Sequence, residues 1–471
     1  MPTRTGEPTA CELIGQLRRR DVSSHELTEQ YLGRIGRAQA LNAVTEIAHE
    51  QALAAAAAAD RALAKGEAAA LLGLPVTVKD SIAVSGMRWC SGSLARAGVV
   101  ADADATVVAR LRSAGAIVLA KTTTPEYTWS YETDCASSGR TVNPYDAKRT
   151  AGGSSGGEAA LLAVDASPVG LGTDGLGSIR VPSHFCGVFG LRPTAGALPE
   201  TGVWPSTRDT GMLDMSTPGP LGRSVEDLAL LLGVLAGADA FDPFAHDGIV
   251  RDFRNASLAE CKVGFYVDDG VGGATQATRE AVLRAAEALS GAGADVAEAT
   301  PPPLEEITDV AFRMMAADGG ARARADLAPA EGRHVPQVRW LLDNLASFAL
   351  SAEGFFDLVR RWAELRASIR TFVADFQVVL CPTVAGPAPL HGRRPGDDGE
   401  LDDYASFSYV QTYSVAGLPV VVAPAGAERG LPIGVQVVAP YGRDDQALAA
   451  AALLEEALVS ALPPAPRIAG E

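Results

Sequence analysis

Lysine is scarce in this chain of 471 residues: only Lys65, Lys79, Lys121, Lys148 and Lys262 stand among 40 basic side chains, and the rest are arginine. Against that background, a lysine kept between apolar residues is a residue to follow. Cysteine is thin as well. The six, at positions 11, 90, 135, 186, 261 and 381, form no Cys-x-x-Cys and none sits beside a histidine at metal-ligand spacing. They read as free thiols of a reducing compartment, and the scattered histidines add no metal site. Long apolar runs are missing too. Ala54–Ala59 ends at Asp60, far short of the ~20 residues a membrane span needs. The first residues include Glu7 and lack the apolar stretch of a secretion signal. Positive charge is in deficit, 40 Lys+Arg against 57 Asp+Glu for a net −17, and a surface of that sign repels phosphate backbones. The expectation is a cytoplasmic enzyme with no membrane, nucleic-acid or metal partner.

What is present is apolar bulk. At 47% apolar residues the chain can bury a large core, and it reads as one α/β domain over 1–471. Residues 1–66 form an N-terminal helical arm in this reading, with Ser23 and Glu26 as a capping box ahead of Leu27, Tyr31, Leu32 and Ile35 at helical spacing. An Ala-rich helix closes near Gly66. Leu74–Lys79 and Ala116–Lys121 are β-type runs around a helical Asp104–Ser113, which predicts a βαβ unit. The glycine density of 150–196 predicts tight loops. Helices are expected over 224–237, 276–292 and 352–374. Strands are expected at Lys262–Val267, Val378–Cys381, Val420–Ala423 and Ile433–Val438, before a closing helix from Asp445. Gly386–Asp403, rich in Gly, Pro and Asp, reads as a loop.

Three glycine patterns suggest other chemistries and fail on context. Gly170-x-Gly172-x-x-Gly175 matches a dinucleotide fingerprint, but Asp174 would repel a pyrophosphate and Pro182 limits the helix that should follow. Gly152–Gly157 has the spacing of a phosphate loop, with Glu158-Ala159 in place of the required Lys-Ser/Thr. Gly153-Ser154-Ser155-Gly156-Gly157 fits the nucleophile elbow, yet Asn143–Thr150 ahead of it is polar loop rather than strand, and nothing marks the late His391 as its base.

What remains is a lysine closing an apolar run, Lys79, and two serines in glycine loops, Ser154 and Ser178. A serine hydroxyl is a poor nucleophile without a base to take its proton. Lysine serves if burial lowers its pKa from ~10.4 toward neutrality. Small residues in sequence let N–H groups converge on an oxyanion, worth ~3–4 kcal/mol per donor. Spacing alone leaves the plainer alternatives open, a salt-bridging strand end and two ordinary loop serines.

At these residues the chain resembles the amidase signature family. The resemblance is dense over about 70–235, the expected catalytic core. It runs through Gly73–Asp80, Asp104–Glu126, Gly139–Gly157, Gly172–Arg180 and Cys186–Thr194 and returns in Gly417-Leu418-Pro419 and Gly430–Gln436. It implies a twisted mixed β-sheet flanked by helices and a Ser–cis-Ser–Lys triad. Carried over, Ser178 is the nucleophile, Ser154 the relay and Lys79 the base. The N–H groups of Gly175, Leu176, Gly177 and Ser178 form the oxyanion hole, Ser155, Thr173 and Arg180 give support, and no cofactor is needed. Leu176 departs from the glycine usual there. The expectation is a negative φ with the isobutyl group shaping the pocket. Ser414 and Thr123 stand where asparagine is frequent and read as drift.

Substrate contacts are expected from Tyr127–Tyr131, Trp204–Met215 and 310–350, with 300–375 as a variable, substrate-covering segment. Trp129, Tyr131, Trp204 and Trp340 are the aromatic candidates. The leading function is a stand-alone amidase acting on a small-molecule carboxamide, with a homodimer as one option. The alternatives are an acyl- or amide-transferring relative, the glutaminase-type A subunit of a tRNA amidotransferase, and a non-catalytic binding homologue.

Overall fold

In a computed structural model, residues 6–206, 214–248, 250–259, 261–396 and 404–466 are described. The strands are β1 Val44–Ile47, β2 Pro75–Lys79, β3 Ile117–Thr122, β4 Asp134–Cys135, β5 Gly139–Arg140, β6 Val169–Asp174, β7 Phe189–Arg192, β8 Thr217–Gly222, β9 Lys262–Phe265, β10 Asp295–Glu298, β11 Val378–Pro382, β12 Val420–Glu428 and β13 Leu431–Val438. All but β4 and β5 join one sheet in the order β1-β3-β2-β6-β8-β7-β12-β13-β11-β9-β10. The sheet is mixed. β2 runs parallel to β3 and β6, and β9 parallel to β10 and β11. β6, β8, β7, β12 and β13 pair antiparallel in succession.

Helices cover both faces, and the period-2 alternation of strand side chains divides the core accordingly. Val378 and Leu380 of β11 join the cluster beneath the N-terminal and C-terminal helices. Val379 and Cys381, one residue out of step, join the cluster packed by Ile307–Ala316, Ala352–Ala374 and Ser408–Ala416. A third cluster, with Tyr127, Trp204, Leu327 and Val338, lies over the site. Both N-terminal helices begin on capping boxes, Thr9 with Glu12 and Ser23 with Glu26. The βαβ unit forms as expected around the Thr106–Ser113 helix. Among the described residues, no helix is long and apolar enough to cross a membrane.

Two expectations are corrected. The N-terminal arm is not wholly helical: Val44–Ile47 adds to the sheet edge, antiparallel to β3. Four residues between two helices give no room for a recognisable strand pattern. The second correction concerns 150–196, where the structure has the Gly156–Ala163 helix, β6, the Arg180–Cys186 helix and β7 in place of a set of loops. The glycines there serve close packing more than turning. A Cβ on Gly172 would stand 2.7 Å from Ser155 Oγ, and one on Gly152 2.7 Å from Pro182 Cα. Gly170 and Gly172 of the dinucleotide-like pattern lie inside β6.

Candidate active site

Lys79 is the last residue of β2, and Thr173 and Asp174 close the neighbouring parallel strand β6. The carboxyl ends of adjacent parallel strands thus set these side chains together, as open α/β sheets commonly do. Lys79 is fully buried, with Nζ 2.6 Å from Ser154 Oγ and 2.8 Å from Thr173 Oγ1. Burial pushes the amine down from its ordinary 10.5 to about 7, against the fields of Asp174 and Glu158, which pull it back up. A neutral amine can reverse the contact with Ser154 and accept its proton. The Gly153–Ser154 peptide bond is cis.

The Ser178 loop is wound around Asp174. Its Oδ1 accepts from Gly177 N at 2.8 Å and Arg180 Nη2 at 2.9 Å. Its Oδ2 accepts from Arg180 Nε at 3.0 Å, Ile179 N at 3.1 Å and Arg180 N at 3.2 Å. Burial alone would raise this carboxyl, but the Arg180 guanidinium and these donors hold it well below the usual carboxylate range. Arg180, itself buried, also donates to Ser414 Oγ, Gln436 Oε1 and Val410 O. Ser414 is therefore a working partner, contrary to its reading as drift. Gly177 has φ +119°, and a Cβ there would lie 2.6 Å from Val410 Cγ2, so this position requires glycine.

Three of the four expected oxyanion donors keep their N–H: among the described residues, nothing accepts from Gly175, Leu176 or Ser178. The Gly177 N–H is spent on Asp174. Leu176 is outside the left-handed region, and its carbonyl accepts from Tyr131 Oη at 2.8 Å. Ser155 faces away. Its N–H donates to Ser178 O at 3.0 Å and its hydroxyl to Thr173 O at 3.3 Å, which joins the two serine loops and leaves the elbow pattern without a base. His391 Nδ1 is bound to Glu132. Among the described residues, no cluster suits a metal.

Ser154, Thr173, Gly175, Leu176 and Ser178 open onto one cleft. Its walls include the aromatic candidates Trp129, Tyr131 and Trp204, Phe312, Met315 and Leu341 from the 310–350 stretch, and Tyr404. Trp340 does not reach it: on the Pro336–Asn344 helix Val338 and Leu341 take the buried side, and Trp340 is 46% exposed. Phe312 and Met315, three apart on Ile307–Ala316, carry the helical spacing that marks a covered face. Of the Trp204–Met215 stretch, 207–213 lie outside the described residues. Among the described lining residues none is charged.

The sequence model of the Amidase family matches residues 26–448. The chain belongs to the amidase signature family. It is 34% identical to the glutamyl-tRNA(Gln) amidotransferase A subunit of Deinococcus radiodurans, over 93% of this chain and 95% of that one. Other curated relatives, such as that of Pseudomonas aeruginosa at 32% identity over 93% of this chain and 95% of its own, carry the same description. Among solved structures, a bacterial aryl acylamidase of the amidase signature family superposes with a TM-score of 0.86 at 27% identity, covering 96% of each chain. One described as a vestigial protein complex that reveals the origins of an s-triazine catabolic enzyme superposes equally well, TM-score 0.86 at 31% identity, covering 95% of this chain and 98% of that one. Membership makes the protein one of a family of amide-hydrolysing and amide-transferring enzymes. Its mixed sheet flanked by helices is that family's fold.

Glu158 is the residue that sequence reasoning passed over. Fully buried about one helical turn beyond Ser154, it accepts from Thr77 Oγ1 at 2.6 Å and Thr122 Oγ1 at 2.8 Å. Burial pushes its carboxyl up to about 7, in spite of those hydroxyls and of Lys79 and Lys121. Its place beside a serine motif suggested only the absence of a phosphate site.

Proposed function

We propose that the protein cleaves a carboxamide C–N bond through an acyl-enzyme on Ser178, with Ser154 as relay and Lys79 as base. The supporting observation is the 2.6 Å contact between Ser154 Oγ and a buried amine brought near neutrality. Lys79 takes the Ser154 proton as Ser154 takes that of Ser178, and Ser178 Oγ attacks the carbonyl carbon. The oxyanion is received by the N–H groups of Gly175, Leu176 and Ser178. Ser154 then delivers a proton to the departing nitrogen and recovers one from Lys79, the C–N bond breaks, and water repeats the path to release the acid. Thr173 holds the amine, and Arg180 acts through Asp174 on the loop. Intact-mass detection of a sulfonyl adduct tests this. It should map to Ser178 and vanish in Ser178→Ala, and labelling at Ser155 would overturn it.

Two readings of the substrate have specific support. The curated relatives favour one of the alternatives raised by the sequence, a glutaminase-type amidotransferase component working with protein partners, over a stand-alone amidase. The cleft favours an apolar amide, because Trp129, Trp204, Phe312, Met315 and Leu341 line it, and burying the ammonium and carboxylate of glutamine unpaired against such walls is costly. Ammonia release from glutamine against release from an aromatic or alkyl amide of similar length separates the two. Preference for glutamine, with partner proteins retained in a pull-down, favours the first.

A further inference from the structure

The cleft wall formed by Trp129, Ser130 and Tyr131 lies between two buried carboxylates, Glu126 and Glu132. They make the same pair of contacts in opposite directions. Glu126 Oε1 lies 2.8 Å from His334 Nδ1, and its Oε2 accepts from Val335 N at 3.0 Å. Glu132 Oε1 lies 2.5 Å from His391 Nδ1, and its Oε2 accepts from Gly392 N at 2.8 Å. Each grip thus takes one histidine and the N–H of the next residue.

Both gripped segments come from the distant C-terminal half. Val335 caps the Pro336–Asn344 helix, which supplies Leu341 to the cleft, whereas His391 and Gly392 stand beside Ala147 and Lys148, and no described residue of 386–396 lines the cleft. The wall itself is held in an unfavourable shape: Tyr127 and Thr128 have φ of 60° and 59°, a left-handed region that such residues rarely adopt. Tyr127 Oη adds a third tie, to Asp326 Oδ2 at 2.7 Å. Neither glutamate lines the cleft or touches the triad. Around them stand Ser93, whose Oγ donates to Glu126 at 3.2 Å, and Arg140, 3.4 Å from Glu132.

We propose that Glu126 is a positioning residue that fixes the cover of the substrate cleft, by gripping His334 and the following N–H of Val335 at the start of the helix that carries Leu341. The inference rests on the reading that this cleft binds the amide. Two contacts lock the segment, so the cover is set against the aromatic wall before substrate arrives, and a bulky amide gains affinity from it. A short amide that reaches only the serine loops gains nothing.

The test uses the full-length protein with Glu126→Ala and Glu126→Gln. His334→Ala loosens the same grip from the cover side should an alanine at the buried glutamate prevent folding. For an anilide filling the cleft, KM should rise about tenfold in the alanine variants. For a short aliphatic amide kcat and KM should stay within about twofold of wild type. The glutamine variant should fall between, since one oxygen still accepts the backbone N–H. Hydrogen exchange over 334–344 should speed up, with the rate of Ser178 sulfonylation by a small probe unchanged. Unchanged exchange, or an unchanged anilide KM, overturns the proposal. So does an equal fall in kcat for both substrates, which would make Glu126 a support of the triad. A wild-type protein that cleaves no amide and takes no adduct at Ser178 defeats the functional reading instead, and exchange then decides the grip alone.

Discussion

Replacing Lys79 by methionine should cripple turnover and, in acid, stabilise the protein. A lysine brought from its ordinary 10.5 to about 7 carries a folding penalty of about 5 kcal/mol where it is protonated in both states, at ~1.36 kcal/mol per pH unit. The sign follows from proton counting. Between pH 7 and 10.5 the unfolded chain binds the extra proton, so wild-type stability rises with pH across that window and the penalty is fully present only below 7. At pH 6 it is about 5 kcal/mol and at pH 9 about 2 kcal/mol. Methionine escapes it, but leaves Ser154 and Thr173 without the amine they touch, a loss of ~1 kcal/mol for each contact. Lys79→Met should therefore be more stable than wild type by roughly 3 kcal/mol at pH 6 and close to even at pH 9.

Denaturant unfolding of both proteins at the two pH values reads that gap directly. In the same preparation, wild-type kcat/KM should rise with pH to a plateau above about 7 as the base form accumulates, with Glu158 titrating in the same range and sharing the apparent pKa. Lys79→Met should lose ~10²–10⁴ in rate at the plateau. A stability advantage equal at both pH values, or wild-type activity that falls as pH rises through 7, refutes a lysine held neutral by burial.

Gly177→Ala should cost ~1–3 kcal/mol for φ +119° alone, and more from the contact with Val410; thermal unfolding and the Ser178 labelling rate should fall together. Leu176→Gly should fold normally, because φ there is not left-handed, and should shift preference toward amides with bulky acyl groups; an unchanged ranking across a panel of acyl sizes would remove Leu176 from pocket shaping.

Much of the fold could be read in the sequence because strands and helices near the site keep their own periods. Pro75–Lys79 and Ile117–Thr122 are buried throughout, and their largely apolar runs without alternation mark central parallel strands. Ser23 and Glu26 announce a helix start by chemistry local to four residues. The 150–196 region misled because glycine has two physical uses. Where backbone passes another backbone or a side chain at less than Cβ distance, glycine is a packing residue, and nothing in one chain's sequence separates that from a turn. The cleft was legible where its residues lie next to motif loops, as Trp129, Tyr131 and Trp204 do. The 310–350 stretch supplies Phe312, Met315 and Leu341, but which of its side chains face the cleft, and that Tyr404 joins them, is set by packing that no local pattern encodes. Ser414 shows the same limit, since its meaning is its contact with Arg180.

Asp174 explains how a lysine can stay near neutrality beside a carboxylate. A free aspartate at the end of β6 would pair with Lys79 and restore its charge, since an opposite charge at contact raises an amine's pKa. Both oxygens of Asp174 are instead saturated, by Arg180 through two guanidinium nitrogens and by the N–H groups of Gly177, Ile179 and Arg180. The carboxylate is thus neutralised within its own loop. What faces Lys79 at contact distance is two hydroxyls, Ser154 and Thr173, which solvate an amine without fixing a proton on it. Arg180 accordingly does two things with one ion pair. It shapes the loop that carries Ser178, and it holds the Asp174 carboxylate so that Lys79 feels its field without pairing with it.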